Sequence, residues 1–119
     1  MQPDRRDRTQ ILRKRAEFLA VASTGKKWVA PGLILQIGPP HDAGPVIRYG
    51  LTASKKVGNA VTRNRARRRL RALAVEILPH AAPEHNYVLI AREATPKRVF
   101  ADLRQDLING LKRMKVWRD

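Results

Sequence analysis

Six arginines fall within the nine residues from Arg63 to Arg71, and with Lys55 and Lys56 the stretch 55–71 carries eight basic side chains and no acid. On a helix, Arg63, Arg67 and Arg71 stand one turn apart, Arg65 and Arg69 form a second row, and Asn64 and Arg68 a third between them. Like charges at this spacing destabilise an isolated helix, so a counter-charge must compensate. Phosphate is the natural one: a planar guanidinium holds it through paired hydrogen bonds, can also stack on a base, and stays protonated. Asn64 adds a donor and an acceptor for a sugar or base edge. Gly58 allows close backbone approach or a sharp turn into the helix, whose N-terminus near residues 58–61 favours an anion.

A charge run is ordinarily a solvated face. Here 25 Lys and Arg stand against 10 Asp and Glu, the net charge is +15, and the pI is near 11.5. That excess calls for a polyanionic partner, with nucleic acid first. An anionic membrane is the rival, but no stretch approaches the ~20 apolar residues of a spanning helix, and no membrane partner is expected. The absence of cysteine excludes disulfides and thiolate metal sites and fits a reducing cytoplasm.

Other chemistry is thinly represented. His41, His80 and His85 fall in predicted loops or helix ends, have no partner at metal-ligand spacing, and read as solvated. Asp102 and Asp106 are one helical turn apart and could hold a cation, but interleaved with Arg98 and Arg104 they read as a charged outer face. No Ser/His/Asp arrangement, P-loop or Gly-rich phosphate cradle is present, which favours a binding subunit over a self-contained nuclease. Phe18 divides between core and an RNA-stacking role. Tyr49 and Tyr87 read as sheet packing and Phe100 as core, while Trp28 fits either core or rim.

The elements that must position these residues are few. The 119 residues suit one domain, with residues 1–8 a mobile polar tail lacking the apolar core of a signal peptide. Thr9 is expected to cap a first helix over residues 11–22, with Ile11, Leu12, Arg15, Leu19 and Ala22 on one stripe, Phe18 beside it, and Gly25 as its stop. Residues 28–29 and 33–37 read as extended, interrupted by Pro31-Gly32; residues 38–45 form a loop and 46–53 a strand that pairs with 33–37 as a hairpin. After a connector at 54–58, a long helix covers 59–78, burying Ala66, Leu70, Leu73, Ala74 and Ile77 and ending at Pro79. Residues 87–91 form a buried strand. A last helix starts near Pro96 with Thr95 as N-cap and Phe100, Leu103, Leu107, Leu111 and Met114 on one face. The expected architecture is α+β, with helices on one side of a small mixed sheet.

The stretch YGLTASKKVGNAVTRNRARRRLRAL closely resembles the signature of the bacterial ribonuclease P protein subunit: Ser54-Lys55-Lys56, then Gly58, Ala60-Val61, Arg63-Asn64-Arg65, Arg67-Arg68 and Arg71. Residues 12–18, LRKRAEF, look like that family's leading helix, and length and element order match over nearly the whole chain. The resemblance implies one small basic protein paired with one large catalytic RNA, together removing the 5′ leader of precursor tRNA, with the chemistry done by the RNA and its bound Mg2+. It implies that the Arg-Asn-Arg helix contacts the catalytic RNA and that a cleft between the first helix and the sheet binds the leader. It also implies that the protein raises affinity for precursor over product and strengthens the binding of functional metal ions. A left-handed β-α-β crossover is implied too, against the ~98% preference for the right-handed form.

Carried over by position, the implied RNA-binding residues are Lys55, Lys56, Asn59, Arg63, Asn64, Arg65, Arg67, Arg68 and Arg71. Those of the leader cleft are Phe18, Gln36, Lys55 and Lys56. The chain departs from the family pattern at Ala22 and Gln36, where some members have aromatics, so the cleft is expected to stack fewer bases at ~1–3 kcal/mol each. The competing readings are a ribosomal or structural RNA-binding protein without a role in tRNA processing, a DNA-binding regulator with an arginine-rich recognition helix, and a self-contained nuclease.

Overall fold

A computed structural model describes residues 9–24, 26–41 and 46–118. Its elements are β1 (Thr9–Ile11), α1 (Arg15–Ser23), β2 (Lys27–Val29), β3 (Leu33–Pro40), β4 (Ile47–Thr52), α2 (Ala60–Ile77), β5 (His85–Ala91) and α3 (Phe100–Arg113), with single 3-10 turns at Lys55–Val57 and Leu78–His80. The strands form one mixed sheet in the order β1-β4-β5-β3-β2. The expected tail at residues 1–8, Gly25 as helix stop and residues 42–45 of the expected loop lie outside the described residues, whereas residues 38–40, expected in that loop, extend β3.

The expected hairpin between β3 and β4 is not formed. β5 inserts between them, antiparallel to β3 and parallel to β4. Its alternate residues explain the choice. Tyr87 and Leu89 are buried on one face and Val88 on the other, so this strand gains most from a central position covered on both sides. The hairpin that does form joins β2 to β3 around Pro31-Gly32. β4, α2 and β5 make the expected β-α-β unit.

Helices cover both faces of the sheet, not one. Leu33, Leu35, Ile37, Tyr49, Tyr87 and Leu89 point into the larger core against α2 and α3, where all of Ala66, Leu70, Leu73, Ala74 and Ile77 are buried as the sequence predicts. Val88, with Ile90 beside it, points the opposite way into a smaller cluster with Leu12, Phe18 and Val21. α1 therefore starts later than expected and with a different buried stripe. Thr9 is no cap: residues 9–11 pair in parallel with β4, and the Leu12 N–H donates to the Tyr49 carbonyl at 2.6 Å. That edge pairing fixes the helix phase. Val21 and Phe18 settle over Gly38 and Gly50, where a Cβ would intrude on each side chain. Leu19, expected inside, is 55% exposed.

α3 starts at Phe100 rather than near Pro96, and Thr95 is not its cap. The Thr95 side chain is fully buried, accepting from the Arg92 N–H at 2.8 Å and donating to the Gly32 carbonyl at 2.6 Å, so it staples the 92–99 segment to the β2–β3 turn. Trp28 resolves as a half-buried wall on Gly110 of α3. Phe100 is partly buried between the guanidiniums of Arg69 and Arg104. Tyr49 and Tyr87 pack in the sheet core as expected.

Candidate nucleic-acid interface

α2 begins with Asn59, whose side-chain oxygen accepts from the Thr62 N–H at 2.9 Å and caps the helix. The apolar stripe that seats α2 on the sheet fixes which arginines face outward. Arg65, Arg67, Arg68 and Arg71 are exposed, as is Asn64, and Arg63 is half-buried. Arg67 donates to the Asn64 side-chain oxygen at 3.1 Å and reaches the Ala53 carbonyl at 3.4 Å, so Asn64 and Arg67 present a preset pair next to the end of β4. Arg69 behaves differently. It turns towards the 92–99 segment, donating to the Thr95 carbonyl at 2.5 Å and to the Arg98 carbonyl. Partial burial and, less strongly, the neighbouring Arg65 charge pull its pKa below the ordinary guanidinium value. The dense arginine row is thus divided: Arg69 braces the fold, Arg67 is held by Asn64 and Ala53, and Arg65, Arg68 and Arg71 are exposed.

On the opposite face of the sheet, α1 leaves part of the surface open. Arg13, Arg15, Phe18, Leu19, Leu51 and Thr52 line a cleft of about 500 Å3. A second, of about 590 Å3, holds Lys56 with Ile34, Ser54, Ile90 and Arg92 on its walls. Thr52 is the cross-strand neighbour of Ile90, and Ile90 of Ile34, so the two clefts run into one trough across the sheet. The Phe18 ring lies on Gly50 and also edges the trough. Gln36 lies one cross-strand row away, beside Val88, and lines neither cleft. Lys55 is exposed in the 3-10 turn, between the trough and α2. Glu17 and Arg48 form a half-buried ion pair where α1 meets β4. Sequence reasoning did not assign Arg13, Arg15 or Arg92 to the trough. The signal was the placement of Arg15 on the same helical stripe as Leu19, an odd member of a core stripe but a natural one for a cleft.

Residues 7–115 match the family described as Ribonuclease P. The chain belongs to the ribonuclease P protein family. The ribonuclease P protein component of Paramagnetospirillum magneticum is 49% identical over 111 residues, covering 90% of this chain and 84% of that one. That of Gluconacetobacter diazotrophicus is 49% identical over 112 residues, covering 92% and 95%. Among solved structures, the Staphylococcus aureus RNase P protein superimposes with a TM-score of 0.71 at 24% identity, over 91% of this chain and 97% of that one. The Thermotoga maritima RNase P protein gives 0.69 at 25% identity, over 87% and 96%.

Other polar residues support the scaffold. Asp106 is buried, not on an outer face: it accepts from Arg98 at 2.6 and 3.1 Å and from the Gly32 N–H at 3.0 Å. The Asp106 bond is the main cause that raises the Arg98 pKa. The histidines read as solvated are engaged too. His80 stacks on Trp117 with ring centroids 5.3 Å apart, and His85 stands in β5 with Nδ1 2.8 Å from the Gly38 carbonyl. Among the described residues no three His, Asp or Glu side chains converge to hold a metal ion. Between Arg63 and Arg71 the exposed face of α2 carries cations and one amide, a donor set that does not suit a hard dication, and the acid further along, Glu76, is paired with Arg104. No helix among the described residues is long and apolar enough to cross a membrane.

Proposed function

We propose that the chain is the protein subunit of a ribonuclease P holoenzyme, binding the catalytic RNA and the 5′ leader of precursor tRNA to assist endonucleolytic removal of that leader in the cytoplasm. The observation that carries this reading is the division of cationic surface between opposite faces of one sheet. The exposed face of α2 offers Arg65, Arg68 and Arg71, with Arg63, Asn64 and Arg67 beside them. The trough across the sheet offers Phe18 and Lys56 with Arg13 and Arg15, and Arg92 stands exposed at its wall with one guanidinium N–H donated to the Ala30 carbonyl at 2.6 Å. Lys55 stands between them. Two RNA segments can be held at once, which is what aligning a substrate on a ribozyme requires.

In this arrangement Asn59 keeps its side-chain oxygen on the helix cap and offers its amide N–H groups to RNA. Gln36 lies beside the trough as a polar base contact. One protein serves one RNA. The phosphate-cleaving chemistry belongs to the RNA, whose oxygens hold the Mg2+. The protein contributes counter-charge, which permits tighter RNA packing around those ions, and affinity for the leader.

Cleavage of a 5′-extended precursor tRNA at low Mg2+ tests this reading, comparing protein alone, a bacterial ribonuclease P RNA alone, and the two together. Cleavage confined to the mixture, or far faster there, is the expected result. No effect of the protein across a range of ratios and salt would leave a structural RNA-binding role in its place.

A further inference from the structure

The cleavage reading leaves unused a groove on the α2–α3 face of the sheet, with a volume of about 940 Å3. Its walls are Ala72 and Val75 of α2, Ile108 of α3 and Trp117 of the C-terminal segment, and Arg68 and Arg71 stand on its rim. This size lies in the ~300–1,000 Å3 range of small-ligand sites.

The Trp117 wall is fixed before any ligand arrives. Ala81 and Trp117 form an antiparallel bridge, the Ala82 N–H donates to the Val116 carbonyl at 2.8 Å, and the Arg118 N–H donates to the His80 carbonyl at 2.5 Å. The indole stacks on His80, and Lys112 Nζ lies 5.6 Å from its ring. The acid at the groove, Glu76, is paired with Arg104 at 3.0 Å, so it adds little negative charge to the rim.

An apolar slot beside exposed guanidiniums matches a flat base joined to a phosphate. It also continues the surface that α2 offers to RNA, because Arg68 and Arg71 belong to both. We propose that this groove receives an unpaired nucleobase of the RNA bound along α2, with Arg68 and Arg71 on its flanking phosphates. The groove lies across the sheet from the trough, so the base comes from the catalytic RNA and not from the leader held in the trough. This rests on the ribonuclease P reading above.

Two variants test it. Ala72→Phe fills the groove from an exposed helical position without changing charge. Binding of a bacterial ribonuclease P RNA is expected to weaken about 5- to 150-fold, the range one stacked base supplies, with the slope of log affinity against log salt unchanged. Trp28→Phe leaves Trp117 as the sole tryptophan, and its emission should be quenched when that RNA saturates the protein. Full affinity of Ala72→Phe with unquenched Trp117, while Arg65→Ala with Arg68→Ala still weakens binding, would overturn the groove and leave the ribonuclease P reading standing. If Arg65→Ala with Arg68→Ala also leaves RNA affinity unchanged, that reading fails as well. Trp117 quenched by an acidic peptide carrying an aromatic anchor, and not by the RNA, would make the groove a protein-docking site. Should Ala72→Phe fail to fold by circular dichroism, the quenching experiment alone decides.

Discussion

Arginines one turn or less apart on α2 are expected to fail in opposite ways. Arg69→Ala removes charge-assisted bonds to the Thr95 and Arg98 carbonyls and a guanidinium 5.6 Å from the Phe100 ring. A hydrogen bond to a charged group contributes ~1.5–3 kcal/mol when desolvated. Arg69 is half-exposed, so roughly 1–3 kcal/mol for the whole contact is the reasonable figure after solvent screening. At ~3–6 °C per kcal/mol for a domain of this size, the Tm should fall by roughly 3–18 °C. The salt dependence of RNA binding should stay the same, because no phosphate contact is lost. Arg65→Ala with Arg68→Ala should do the reverse. The slope of log affinity against log salt should flatten by ~1.4–1.8, using ~0.7–0.9 per neutralised phosphate. The Tm should hold or rise as like-charge repulsion along the helix is relieved. Thermal unfolding by circular dichroism and filter binding across a salt series read both quantities. If Arg69→Ala flattens the slope while keeping its Tm, Arg69 is a phosphate contact and the division of the arginine row is wrong. If the double variant unfolds, its arginines are structural.

Other changes probe the scaffold beneath the interface. Gly50→Ala would push a methyl into the Phe18 ring, shifting α1 on the sheet at ~1–3 kcal/mol and weakening leader binding more than binding of leaderless tRNA; urea unfolding and paired affinity measurements check it. Asp106→Ala leaves the buried Gly32 N–H without its acceptor and releases Arg98; the lost Gly32 bond should lower stability by ~1–3 kcal/mol in chemical denaturation. Burial, with Glu84 next in effect, raises the Tyr87 pKa while Arg118 opposes it. A group raised on folding stabilises fully below its unfolded value, ~10 for tyrosine, and loses that stability as pH climbs towards the folded value. Tyr87→Phe should therefore lose ~1 kcal/mol at neutral pH, from the hydrogen bond to the Ala82 carbonyl. It should show a shallower loss of urea midpoint above about pH 10 than the parent chain.

What could be read in the sequence, and what could not, follows from how local each cause is. α2 was legible almost to the residue, because Asn59 caps it, Pro79 ends it and its apolar stripe has the helical period throughout. The arginine density on that helix was equally plain, since it needs no tertiary information. The role of Arg69 was not: its partners are carbonyls some 26 and 29 residues further along the chain, in a segment that only folds against the β2–β3 turn. The start of α1 failed for a related reason. Thr9 reads as a cap, but the free edge of β4 lies nearly forty positions away and pairs with residues 9–11. That pairing turns Leu19 outward and Val21 inward, and so makes one wall of the trough.

The β3–β4 hairpin failed because sequence proximity favours neighbours, whereas β5 buries apolar residues on both faces and takes the centre. That central position also separates the candidate RNA surfaces. With β5 between β3 and β4, α2 packs on one face of the sheet, and the opposite face stays open beyond the end of α1. An element order with β3 beside β4 would break up the Ile34–Ile90–Thr52 row that joins the two clefts. The most apolar strand in the chain, which gives the trough only Ile90 and its neighbour Ala91, thus decides how the trough is built.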